Sequence, residues 1–151
     1  MTQRLTVGSE EFAGRTMVMS GGSRGIGLEI ARAWASGGGN IAFLAKTSDP
    51  DPRLPGTVHA ATAELEAAGG KVAGVVGDLR DDEAVANLAA TAMTTFGGID
   101  VCVNNASVLN LAGIEDLSLK RYDLMQDVNA RGTFALTQAC LAGLKASDSA
   151  H

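Results

Sequence analysis

A chain of 151 residues with 46% hydrophobic content is long enough for one domain with its own core. Its net charge of −5 provides no cationic footprint for a polyanion, which argues against a nucleic-acid partner. No apolar run reaches the ~18 residues of a membrane span, and residues 1–10 lack the charged-then-apolar pattern of a signal peptide, so the expected location is cytoplasmic.

Glycine is abundant, at 19 residues against three prolines, which points to tight turns or close ligand approach rather than to a disordered tract. The first apolar run, Thr16 to Ser20, reads as a buried strand of a parallel sheet. It leads directly into Ser20-Gly-Gly-Ser-Arg-Gly-Ile-Gly27, where a helix begins. In that helix Ile26, Ile30, Ala33 and Trp34 form the predicted apolar stripe, and Gly37 to Gly39 stop it.

Ile41 to Ala45 reads as the second strand. All three prolines fall in the following segment, Ser48 to Gly56, which is expected to be an irregular loop. A helix over Thr57 to Ala68 follows, inward through Val58, Ala61, Leu65 and Ala68. Val72 to Val76 is the third strand. The next helix starts at the acids Asp81 and Asp82 and turns Val85, Leu88, Ala89, Ala92 and Phe96 inward. Val101 to Val103 is the fourth strand, and two helices are expected near Ser118 to Gln126 and Ala130 to Leu144. Alternating strands and helices predict an α/β fold, a Rossmann-type doubly wound parallel sheet with ligands beyond the carboxyl ends of its strands.

The glycine-rich turn lies where a strand delivers the positive end of a helix, which suits a pyrophosphate. Its glycines, at 21, 25 and 27, are spaced G-x-x-x-G-x-G. A G-x-G-x-x-G spacing would need glycine where Ile30 stands, and no G-x-x-x-x-G-K-[ST] occurs, which excludes a P-loop NTPase.

Ser-Gly-x-x-x-Gly-Ile-Gly resembles the Thr-Gly-x-x-x-Gly-x-Gly fingerprint of the short-chain dehydrogenase/reductase family. Asp78, in Gly77-Asp-Leu79, matches the family's adenine-contacting acid. Asn104-Asn-Ala-Ser107 matches its Asn-Asn-Ala-Gly element, and Asn129, in Asp127-Val-Asn-Ala-Arg-Gly132, matches its catalytic asparagine. The four elements stand in the family order, and the resemblance covers roughly Phe12 to Leu144. Within the family, Ala45-Lys-Thr and the proline loop leading to Thr57-Val58 look most like the hydroxysteroid dehydrogenase-like proteins, a subgroup associated with fatty-acid or lipid metabolism.

The resemblance implies a sheet order of 3-2-1-4 for these four strands. It also implies a cofactor site made of Gly21, Ser23, Arg24, Gly25, Ile26 and Gly27 in the turn and Lys46 after the second strand. Asp78 and Leu79 join it after the third strand, and Asn105, Ala106 and Ser107 after the fourth. NAD-selective sites usually carry an acid at the end of the second strand. Ala45 stands there, followed by Lys46, and Arg24 lies in the turn, so NADP(H) is the expected cofactor with NAD(H) as the alternative. The competing reading of Arg24 and Lys46 is that both are solvated surface cations.

In the resembled family a tyrosine moves the proton while hydride passes to or from the nicotinamide. A phenol of pKa ~10 acts near neutrality only beside positive charge, which a lysine four residues later supplies. The one tyrosine of this chain, Tyr122, has Gln126 at that position and precedes Asn129, so Tyr122 reads as a packing residue and Asn129 as the only catalytic residue carried. The expected unit is therefore residues 1–151 as an NAD(P)-binding domain that stops before the serine and Tyr-x-x-x-Lys segment, inactive by itself, with a fifth strand missing beside the fourth.

The expected reaction is oxidoreduction of a small carbonyl or alcohol, with lipid-related substrates by resemblance. The alternative is a nucleotide-binding module or partner subunit without catalysis. Phe134, Leu141 and Leu144 on the last helix are expected at a subunit contact of a homo-oligomer, a dimer or tetramer. Cys102 and Cys140 read as small buried hydrophobes with no metal role, Lys120 and Lys145 as solvated, and His59 and His151 as surface residues.

Overall fold

The computed structural model describes residues 8, 10–50 and 56–151; most of the expected proline loop, residues 51–55, and nearly all of the N-terminal segment lie outside these. The elements run β1 (Thr16–Ser20), α1 (Gly25–Ser36), β2 (Asn40–Ala45), α2 (Val58–Ala67), β3 (Lys71–Val76), α3 (Asp82–Phe96) and β4 (Val101–Asn104). Then come α4 (Leu119–Gln126), a π-helical turn (Asp127–Gly132) and α5 (Thr133–Ala146). The strands form one parallel sheet in the order β3-β2-β1-β4, with Met17 opposite Ile41 and Val101, and Ile41 opposite Val72. This is the Rossmann-type order expected.

Alternation along the central strands sorts the core into two layers. Met17, Met19, Ile41 and Phe43 pack with Ala31, Trp34, Ala35, Val58, Ala61 and Leu65 from α1 and α2. Val18, Ala42, Leu44 and Val75 pack with Val85, Leu88, Ala92, Leu136 and Cys140 from α3 and α5. Covered on both faces, β1 and β2 are buried throughout. β3 is not the wholly buried strand expected: as an outer strand of the sheet it buries only Val75.

The stripe expected on α1 is rotated. Its buried residues are Gly27, Ala31, Trp34 and Ala35, whereas Ile26 is 77% exposed and Ile30 and Ala33 are also exposed. The cause is close approach of small residues: Gly27 packs against the Gly21 carbonyl, and the Trp34 indole closes over Gly39 and donates to Asn40 O at 3.0 Å. The α2 and α3 readings agree with the structure. Thr57 Oγ1 accepts from Ala60 N (3.0 Å) at the start of α2, and Asp81 Oδ1 accepts from Glu83 N (3.0 Å) at the start of α3.

Two expectations need correcting at the C-terminal end. Gln126, Asp127, Gly132 and Thr133 all have right-handed helical dihedrals, so α4, the π-helical turn and α5 form one continuous rod rather than two separated helices. Tyr122 does not pack: α4 buries none of its residues, and Tyr122 is 47% exposed.

After α5 the chain returns to the sheet. Asp100 accepts from Thr16 N (2.7 Å) and from Ser147 Oγ (2.5 Å), and Arg15 Nη2 donates to Ser149 O (3.1 Å). These bonds bring His151 alongside β4, where its N–H donates to Asp100 O (2.9 Å) and its carbonyl accepts from Cys102 N (3.0 Å). That reciprocal pair is a parallel bridge to Val101. No helix among the described residues is long and apolar enough to cross a membrane.

Candidate nucleotide-binding site

The carboxyl ends of all four strands open onto one cleft of about 470 Å³. β1 contributes the glycine turn. Gly25 takes φ +56 with open space where a Cβ would stand, so its requirement is conformational. Gly27 is needed for space, because a Cβ there would overlap the Gly21 carbonyl oxygen. A helix that starts at Gly25 leaves its first amides without intrahelical acceptors, and its dipole adds positive potential.

The end of β4 clamps this turn. Ser20 Oγ accepts from Asn105 N (3.2 Å) and Ala106 N (3.1 Å), while Asn105 Nδ2 donates to Ser20 O (3.1 Å) and Gly21 O (2.9 Å). The Asn105 amide therefore holds the two loops together across β1 and β4. Ala106 and Ser107 continue along the cleft wall.

Charge gathers beyond β2 and β3. Lys46 Nζ lies 2.9 Å from Asp78 Oδ2. Arg80 grips the same carboxylate, Nη2 to Oδ2 at 2.6 Å, Nε to both oxygens at 3.1 Å, and its backbone N to Oδ1 at 3.0 Å. Arg80 first, and then Lys46, hold the Asp78 carboxyl far below the usual carboxylate range. Arg24 Nη2 donates to Thr47 Oγ1 at 2.6 Å, so the turn and the end of β2 are bonded to each other.

Of the residues expected to bind cofactor, all but Gly25 line this cleft. Asn129 stands behind it: its side-chain amide bonds both the N–H and the C=O of Val108 at 2.9 Å, fixing a residue of the wall. The Asn129 backbone carbonyl accepts from Thr133 Oγ1 at 2.8 Å within the π-helical turn, an irregularity often found at functional positions.

Sequence reasoning missed Thr47 and Arg80, and also Leu44, Val108, Leu124 and Val128 in the walls. Leu124 and Val128 have helical spacing on the rod, a signal that could have found them. Arg80 carried no motif. The two cysteines are neighbours between β4 and α5, and the Cys102 thiol and burial push the Cys140 thiol up, which keeps it protonated. No group of three metal-ligating side chains gathers among the described residues.

The arrangement offers amides and a helix terminus for a pyrophosphate, one acid flanked by cations, and a cradle that only glycine leaves open. Residues 15–151 match the family described as short chain dehydrogenase. The chain is 44% identical over 141 residues to hydroxysteroid dehydrogenase-like protein 2 of Danio rerio, covering 93% of this chain and 34% of that protein. A short chain dehydrogenase from Mycobacterium thermoresistibile superposes with a TM-score of 0.89 at 51% identity, over 92% of this chain and 50% of that one. A 3-oxoacyl-[acyl-carrier protein] reductase from Brucella melitensis gives a TM-score of 0.75 at 35% identity, over 89% and 52%. The chain thus spans about a third of the curated relative and about half of each solved structure.

Proposed function

The chain belongs to the short-chain dehydrogenase family, and from that premise we propose that it is the cofactor-binding part of an NADP(H)-dependent oxidoreductase acting on a small carbonyl or alcohol. Likeness to hydroxysteroid dehydrogenase-like protein 2 and to an acyl-carrier-protein reductase favours a lipid-related substrate.

One observation carries the cofactor choice: Arg24, bonded to Thr47, and Lys46 line the cleft beside Ala45, the position where an acid would favour NAD. In this reading the first amides of α1 hold the pyrophosphate and Arg24 and Lys46 take the 2′-phosphate, while Asp78 meets the adenine. The bound nicotinamide supplies or accepts the hydride. Asn129 contributes a backbone carbonyl to the proton relay, with Thr133 holding it in place.

The serine and the Tyr-x-x-x-Lys pair that complete the chemistry are proposed to come from outside these 151 residues. The parallel bridge of His151 to Val101 supports a fifth strand on that edge of the sheet. We also infer a homo-oligomer, supported by Phe134 and Leu141 on α5, which are 66% and 43% exposed. Sedimentation should give a mass above one chain that Phe134→Glu reduces; a monomer at high micromolar concentration overturns this part.

The cofactor reading is tested by fluorescence titration. NADPH should bind about tenfold or more tighter than NADH, and Arg24→Ala or Lys46→Ala should weaken NADPH without affecting NADH. Tighter NADH binding, or NADPH affinity unchanged in both variants, overturns it.

A further inference from the structure

Lys46 faces a conflict in the cleft. Its ammonium lies on the Asp78 carboxylate at 2.9 Å, yet the same ammonium is the charge that β2 offers to a 2′-phosphate. If Asp78 depended on Lys46 for its neutralisation, moving Lys46 to a phosphate would leave an uncompensated acid near a second anion, and both effects would oppose binding.

Arg80 removes that dependence. Its guanidinium spans both oxygens of Asp78 through Nε and Nη2, and its backbone amide adds a bond to Oδ1. With the two residues only two positions apart, this grip closes locally and survives the departure of Lys46. Arg80 also belongs to the wall of the same cleft.

We propose that Arg80 is a positioning residue for cofactor selectivity: by satisfying Asp78, it frees Lys46 to bind the 2′-phosphate. This rests on the NADP(H) reading above. Arg80 acts on the phosphate through Asp78 and Lys46, so its contribution depends on the Asp78 charge.

The test is the ratio of NADPH to NADH affinity in a double-mutant cycle. Arg80→Ala should lower the ratio about tenfold, chiefly through weaker NADPH binding, and Arg80→Lys should restore part of it by returning a cation. In an Asp78→Asn background the same Arg80→Ala change should leave the ratio within about twofold, because no carboxylate remains to hold Lys46. An effect of Arg80→Ala that persists undiminished beside Asp78→Asn overturns the proposal, since Arg80 would then act without Asp78. A ratio unmoved by Arg80→Ala but lowered by Lys46→Ala overturns it while leaving the NADP(H) reading intact; a ratio unmoved by Lys46→Ala and Arg24→Ala removes that reading itself.

Discussion

Asp78 is the acid whose environment is most specific. Four donors from two residues converge on it, led by the Arg80 guanidinium and followed by Lys46. Its folded carboxyl therefore holds a proton less readily than in the unfolded chain, where the ordinary value is about 3.9. Stability drawn from this group is complete at neutral pH. It is lost as pH falls below about 4, because the unfolded chain takes up the proton first. Urea midpoints should drop less on acidification for Asp78→Asn than for the parent chain; equal drops would mean that the ion cluster contributes nothing to folding. Asp78 was legible in the sequence because it follows a strand closely within a recognisable motif. Arg80 was not, since a cation two residues from an acid has no periodicity and becomes meaningful only when the turn folds both onto one point. The glycines were legible as a set, but only the structure separates Gly25, which needs a left-handed backbone, from Gly27, which needs room.

The elements themselves followed from alternating apolar runs and helical periods, and β1, β2, α2 and α3 lie close to where those patterns put them. The face of α1 did not, because hydrophobicity favoured Ile26 and Ile30 while close packing selected Gly27 and Ala31. Helix faces chosen by small residues escape a reading that counts apolar mass. The rod from α4 to α5 escaped for a different reason: its π-helical turn keeps helical dihedrals, and nothing in the residues Asp127 to Gly132 distinguishes an irregular turn from a break. The return of the chain to the sheet after α5 rests on Asp100, which bonds the start of β1 and the loop after α5 at once. Asp100→Ala should release residues 147–151, which hydrogen exchange would register as faster exchange at the His151 and Cys102 amides. Unchanged protection at both would show that the bridge to β4 stands without Asp100. Each of the two lost hydrogen bonds is worth about 1 kcal/mol, so the fold itself should survive.

At the scale of the whole molecule, four parallel strands in the order 3-2-1-4 bring the ends of β1, β2, β3 and β4 to one cleft. That convergence explains how residues from 20 to 128 in the chain line a single site, and it was legible because doubly wound sheets place their ligands beyond strand ends. Substrate identity was not legible, since no motif in these 151 residues points to a group that would hold the substrate oxygen. The cleft is proposed to bind a dinucleotide through the glycine cradle. Titration calorimetry with NADPH tests it most directly, on the parent chain and on Gly27→Ala, whose added methyl would meet the Gly21 carbonyl. One saturable site per chain is expected, lost or severely weakened in Gly27→Ala. No saturable binding to the parent, or binding undiminished by the substitution, would contradict it.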